Sequence, residues 1–194
     1  MSATATTRPG GRSSRVLTAV YSAVGALVGE GAERITFPVI AERAGVNPTT
    51  LYRRWTDVGD LLEEVAVAAL TRDGDALPDT GTLVGDLIEW ATIITRDITR
   101  PERARYLRAM VAARQDVVAH CEVTDTRFEQ ASVLLRRAEG RGEVVPTAEQ
   151  VLDHVIAPLY YRVAFALAVD EERPRRLVRD VLRMVARGPA ATER

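Results

Sequence analysis

An all-α fold is predicted by three observations on this 194-residue chain. Apolar residues recur at spacings of one, three and four, no segment sustains a two-residue alternation bounded by hairpin turns, and the breaks fall on glycine, proline and N-cap residues. With 46% hydrophobic residues the chain can bury a substantial core, as one domain or two packed together. The expected organisation is a flexible arm over residues 1–11, a three-helix unit with a helix-turn-helix over 12–72, a larger helical domain over 80–188 and a flexible tail over 189–194.

The arm, "MSATATTRPGG", has no apolar periodicity. Val16, Leu17, Val20, Val24, Leu27 and Val28 then form one stripe of a first helix over about 13–29. "GEGAERIT" supplies a turn, and Thr36 is the expected N-cap of a second helix with Pro38 in its first turn. That helix offers Val39, Ile40, Ala41 and Ala44 to a core and ends at Gly45 in the left-handed conformation. Asn47 caps a third helix, and Pro48 at its first position starts it without losing a bond. Two short helices joined by about three residues containing glycine make a helix-turn-helix, with the second offered outward. A fourth helix starts near Asp57 and runs through Leu61, Leu62, Val65, Ala66, Ala69 and Leu70. "TRDGDALPDTGT" at 71–82 reads as a linker. Five further helices are expected near 82–98, 102–118, 123–140, 147–169 and 174–187, marked by turns or caps at Arg100-Pro101, Gly140–Gly142, Pro146-Thr147 and Arg173-Pro174.

The formal charge of -1 argues against a chain that binds polyanions over its whole surface. The distribution is uneven, however: residues 1–56 hold seven arginines against three glutamates, a balance of +4, and the rest carries about -5. All 26 basic residues are arginine, which has no functional weight here. No apolar run approaches the length of a membrane span, and the polar start lacks the apolar stretch of a secretory signal, so a cytoplasmic address without membrane contact is expected. The single Cys121 has no internal disulfide partner, in keeping with a reducing compartment.

On the third helix Leu51 is the core anchor, while Pro48, Thr49, Thr50, Tyr52, Arg53 and Arg54 cluster near an exposed start or on the outward face. These are the residue types with which proteins hold DNA. Threonine offers a hydroxyl to phosphate and a methyl to thymine, tyrosine a phenol to phosphate, and arginine a fork to guanine O6 and N7. A helix N-terminus adds free N–H groups and a positive dipole. Trp55 reads as a core aromatic.

Residues 13–70, and above all "ITFPVIAERAGVNPTTLYRRWTDVGDLLEEV" at 35–65, resemble the DNA-binding domain of TetR-family transcriptional regulators. The resemblance is carried by Thr36, Ile40-Ala41, Ala44-Gly45-Val46, Thr50-Leu51-Tyr52, Trp55 and Leu61-Leu62. "RAEGRGEV" at 137–144 and "APLYYRVAF" at 157–165 resemble one subgroup of that family. The resemblance implies a ligand-responsive regulator, most often a repressor, that binds a palindromic double-stranded DNA operator as a homodimer and is released by a small-molecule effector. It places Pro48, Thr49, Arg53 and Arg54 in the major groove and Thr36, Thr50 and Tyr52 on phosphates, with Asn47 at the start of the same helix. Arg8, Arg12 and Arg15 are candidates for the backbone or minor groove. The implied effector pocket draws on Trp90, Ile94, Met110, Phe128, Tyr161 and Phe165. The implied dimer surface lies on the last two helices, where Ala157, Ala164 and Ala168 allow close approach and Leu177, Val178, Val181, Leu182 and Val185 form an apolar stripe. Two departures stand out: Val58 occupies a position where the family usually has lysine, and Phe37 and Pro38 occupy positions that are often polar and DNA-facing.

An enzyme needs a constellation, and none is found. His120 and His154 have no partner at metal-ligand spacing, Cys121 points away from the adjacent His120, and neither a nucleophile elbow nor a phosphate-binding loop occurs. No catalytic residue, metal or cofactor is expected. The competing reading is a helical interaction or sensor protein that kept the fold and lost DNA binding, which Val58 and the acidic total favour and Thr49, Thr50, Tyr52, Arg53 and Arg54 oppose.

Overall fold

In this computed structural model, residues 11–32, 34–72, 76–113 and 121–186 are described. The helices run in the order α1 (Gly11–Glu30), α2 (Phe37–Ala44), α3 (Pro48–Tyr52), α4 (Val58–Arg72), α5 (Leu83–Ile98), α6 (Pro101–Ala113), α7 (Glu122–Gly140), α8 (Ala148–Val151), α9 (Ala157–Ala164) and α10 (Arg173–Ala186). There is no strand among the described residues. The expected arm, apart from Gly11, and the expected tail lie outside the described residues, as do Arg8 and His120.

α1 buries Val20, Val24 and Leu27 against Ile40 and Ala41 of α2, Leu51 of α3 and Leu61 and Leu62 of α4. The turn between α2 and α3 follows from its sequence. Gly45 takes φ 65°, ψ 34°, which glycine adopts without the Cβ clash, and Val46 N–H reaches back to the Ala41 carbonyl at 3.0 Å. Asn47 Oδ1 accepts the Thr49 N–H at 2.9 Å and starts α3. Thr36 sits at the N-cap of α2, yet its side chain makes no capping bond. An N-cap side chain accepts from the second or third N–H of the helix, and Pro38 removes the first of these donors.

The larger domain is built around Leu87, Trp90 and Ile94 of α5, Leu134 of α7, Val151, Val155 and Leu159 along the α8–α9 segment, and Val178 and Val181 of α10. Its second layer is organised by a charge cluster drawn from the "RAEGRGEV" motif. Asp86, at 0% exposure, accepts the Thr80 N–H at 2.6 Å, the Thr80 hydroxyl at 2.8 Å and Arg141 Nη2 at 3.0 Å. Arg141 Nε also donates to Glu143 at 2.8 Å, and Glu143 accepts the Leu83 N–H at 2.8 Å, satisfying a free donor at the start of α5.

The single helix expected over 147–169 is instead three pieces. After α8 comes a π-helical turn, Leu152–Ile156, in which Ala157 N–H donates to the Leu152 carbonyl. The cause is Pro158, which has no N–H for the carbonyl of His154 and a ring that would collide with it; the wider turn carries that carbonyl away. α9 then stops at Ala164, five residues earlier than expected. Ala166 adopts φ 54°, and Leu167 N–H bonds to the Arg162 carbonyl at 2.7 Å. Ala168, expected on a helix face, therefore lies in the following turn, where its carbonyl accepts from Arg162 Nε at 2.7 Å.

The two parts are joined through α4 and α6. The Tyr106 hydroxyl donates to the Leu62 carbonyl at 2.5 Å, and Arg105 Nη1 donates to the Gly29 carbonyl at the end of α1 at 3.0 Å. Burial pushes the Tyr106 phenol pKa well above its ordinary value, which keeps it a donor. Gly59 lets α4 approach α6: a Cβ there would meet the Ala113 carbonyl oxygen at 3.2 Å and Asp57 Oδ1 at 2.9 Å. The Glu63 carboxylate accepts the Glu122 N–H at the start of α7.

Candidate functional site

The exposed surface of α3 is assembled by burying the opposite one. Leu51 is at 0% exposure, while Pro48, Thr49, Tyr52 and Arg53 face solvent and Thr50 is half-buried. Tyr52 is 60% exposed, yet its ring is held: Phe37, itself buried, meets it edge-on with centroids 4.9 Å apart and planes at 88°. Phe37 thus serves as the support of the tyrosine, which gives the apolar residue at that position a purpose. Thr36 and Pro38 are exposed beside it, and so is Arg15 on α1. Arg12 falls within α1. Val58 begins α4 half-buried and packed on the core.

The two adjacent arginines differ. Arg53 is exposed and its guanidinium has no partner among the described residues. Arg54 Nη2 donates to Glu64 at 2.8 Å and its guanidinium carbon lies 5.2 Å from the Trp55 ring centroid. Glu64, on α4, also accepts from Trp55 Nε1 at 2.7 Å and from the Tyr21 hydroxyl of α1. Its carboxylate therefore ties α1, α4 and the segment that follows α3 together. Burial pushes the Glu64 pKa up, and the bonds from Tyr21, Arg54 and Trp55 outweigh that and hold it below the usual range. Burial and the bond to Glu64 raise the Tyr21 phenol to about 12. Trp55, read as a core aromatic, is 5% exposed.

In the larger domain a cavity of about 670 Å³ opens between α6, α7 and the α9 segment. Met110, Tyr161 and Phe165 of the expected pocket residues line it. Trp90 and Ile94 instead line a separate cleft of about 230 Å³ and are themselves buried, Trp90 bonded to Gln130 at 3.3 Å. Phe128 is 42% exposed and lines neither of these two spaces. Ala157 and Ala164, expected at a dimer seam, also line the larger cavity. The sequence reading missed Arg127, which is 7% exposed and lines both spaces. The signal was present: Val123, Arg127, Ala131, Leu134 and Ala138 recur at four, four, three and four, so Arg127 occupies a core position of the α7 stripe.

Of the apolar stripe on α10, Val178 and Val181 are buried within the chain and Leu177, Leu182 and Val185 are half-buried. No group of histidine, cysteine and acidic side chains able to hold a metal occurs among the described residues, and no helix there is long and apolar enough to cross a membrane.

Residues 77–181 match the family model described as tetracyclin repressor-like, C-terminal domain, and residues 22–65 match that of bacterial regulatory proteins, tetR family. The chain belongs to the TetR family of transcriptional regulators. This TetR-family chain is 29% identical over 192 residues to the HTH-type transcriptional regulator YdeS of Bacillus subtilis, covering 95% of itself and 93% of that protein. It is 28% identical over 167 residues to the DNA-binding transcriptional repressor TetR of Mycobacteroides abscessus, covering 83% and 88%. Among solved structures, the TetR family transcription regulator SCO0332 superposes with a TM-score of 0.68 at 29% identity, over 87% of this chain and 97% of that one. The family accounts for the helix-turn-helix and for the all-helical second domain.

Proposed function

We propose that this TetR-family regulator is a repressor that binds a palindromic operator as a homodimer and releases it when a small molecule occupies the cavity of the larger domain. The observation that carries the DNA half of this reading is the two-sidedness of α3: Leu51 is wholly buried, and Thr49, Tyr52 and Arg53 are presented together on the other side. Arg53, with Pro48 and Thr49, faces base edges, and Thr36, Thr50 and Tyr52 hold phosphates. Arg54 acts at one remove, fixing the end of α3 through Glu64 and Trp55. The free hydroxyl of Thr36 suits a phosphate because it is not spent on a cap.

The release half is supported by α6. Leu107, Met110 and Val111 line the cavity, while the neighbouring Tyr106 and Arg105 bond to α4 and to the end of α1. A ligand that shifts α6 acts on the DNA-binding unit through those bonds, with a coupling of about 1–3 kcal/mol where such systems are typical. Dimerisation is supported by apolar side chains that are exposed outside the cavity, Leu167 in the turn after α9 and Met184 on α10.

Binding-site selection with the purified chain, followed by gel-shift titration of the selected duplex at rising salt, tests the reading. Salt-sensitive binding to a site with two half-sites about one helical turn apart is expected. Absence of binding to any fragment overturns it.

A further inference from the structure

The large cavity is mostly apolar, and Arg127 stands on the wall it shares with the smaller cleft. Arg127 is more than nine-tenths buried, and its partners are neutral: Nε bonds to the Tyr160 hydroxyl at 3.2 Å and Nη1 to Gln130 Oε1 at 2.8 Å. Among the described residues it has no carboxylate partner, and Nη2 makes no hydrogen bond. The only other charged side chain lining the cavity, Asp153, is exposed. Removing a guanidinium from water without an opposite charge is costly, and a buried charge is ordinarily compensated by an acid, a metal or a bound ion. Arginine's planar fork is also the donor set that matches a carboxylate edge-on.

We propose that the cavity takes an apolar organic anion, a small molecule whose carboxylate-like group is received by Arg127 and whose hydrocarbon body lies against Leu107, Met110, Ile156 and Tyr161. This rests on the reading of the cavity as the effector site and names the chemical class of the effector. A volume of about 670 Å³ holds a ring system or medium-length chain, within the range of small-molecule pockets. The Tyr160 hydroxyl accepts from Arg127 Nε through its oxygen and keeps its own proton to donate, so a second donor stands beside the guanidinium. The anion replaces the missing acid, and ligand binding and charge compensation become one event.

A matched pair of fluorescent probes separates the charge from the hydrocarbon: 1-anilinonaphthalene-8-sulfonate and its uncharged counterpart N-phenyl-1-naphthylamine, titrated into the full chain. The charged probe is expected to bind at least tenfold more tightly than the neutral one. Arg127→Met removes that preference, weakening the charged probe at least tenfold and the neutral one less than twofold, and Arg127→Lys retains part of it. Thr124→Trp, which fills the cavity from α7, abolishes both signals and shows that they come from this site. Equal affinities in the wild type, or an Arg127→Met variant that is folded by circular dichroism and keeps the preference, overturns the anion proposal alone. Failure of both probes to bind overturns it together with the effector-site reading.

Discussion

Two arginines meet the interior of the larger domain on opposite terms. Arg141 joins the Thr80, Asp86 and Glu143 cluster, in which every acid is answered and the start of α5 is held. Arg127 is set among neutral partners on the wall of a cavity. The same contrast recurs in the DNA-binding unit, where Arg54 is bound to Glu64 and Arg53 has no partner among the described residues. A charge answered inside the chain builds the fold; one left unanswered is available to something outside it.

The largest expected effect lies on the answered side. Asp86→Ala leaves the Thr80 N–H, its hydroxyl and Arg141 without their acceptor. With Arg141 27% exposed, the loss is near the lower end for a broken buried pair, about 3 kcal/mol. In a chain of this size that lowers Tm by roughly 6–12 °C in a calorimetric scan. A fall of less than 2 °C would mean that the cluster contributes little and that the contrast with Arg127 is empty.

Next comes pH. Glu64 has a folded pKa below its unfolded value, so its contribution is present above the unfolded value and is lost as pH falls through the folded one. Tyr21 is raised from 10.0 to about 12, so its contribution is present below 10.0 and is lost as pH rises through about 12. Urea titrations across pH should therefore show Glu64→Gln flattening the acid fall and Tyr21→Phe flattening the alkaline one. Curves parallel to the wild type would remove Glu64 as the tie of that unit.

On the unanswered side, Arg127→Met exchanges an uncompensated buried charge for a side chain of similar length, a change that is often neutral or stabilising. The Tm without ligand should stay within about 2 °C of the wild type or rise, equivalent to less than about 1 kcal/mol in the unfavourable direction. A larger drop would make Arg127 structural.

The smallest expected effect is a gain. Ala166 closes α9 in a left-handed conformation that favours glycine, so Ala166→Gly should add about 0.5–1 kcal/mol in denaturant unfolding. A loss of stability there would mean that the turn is held by something other than its backbone.

Local signals were legible in the sequence and convergent ones were not. Gly45, Asn47 and Pro48 set the helix-turn-helix because each acts on its own backbone within a few residues. Leu51 was legible as the anchor of its helix and Trp55 as a large aromatic, a type usually buried. Asp86 and Arg141 stand 55 positions apart, and no pattern short of the fold brings them together. Glu64 looks like one more surface acid until Tyr21, Arg54 and Trp55 converge on it. The end of α9 carries no glycine or proline at the stop, so the expected helix ran on to 169, and the π-helical turn before Pro158 was not expected either. Trp90 and Ile94 show the limit of reading pockets from aromatic and branched residues: both fill the core.

The central claim is most directly tested by fluorescence anisotropy on the selected operator with Arg53→Ala and Arg54→Ala side by side, each paired with a thermal melt. The account predicts that Arg53→Ala loses about 1–3 kcal/mol of operator binding, roughly tenfold or more, at an unchanged Tm. Arg54→Ala should lower Tm by freeing Glu64 and should weaken operator and unrelated duplexes alike. Full operator affinity in Arg53→Ala, or a loss of Tm in that variant equal to that of Arg54→Ala, would contradict the division between arginines that build the fold and arginines that bind a partner.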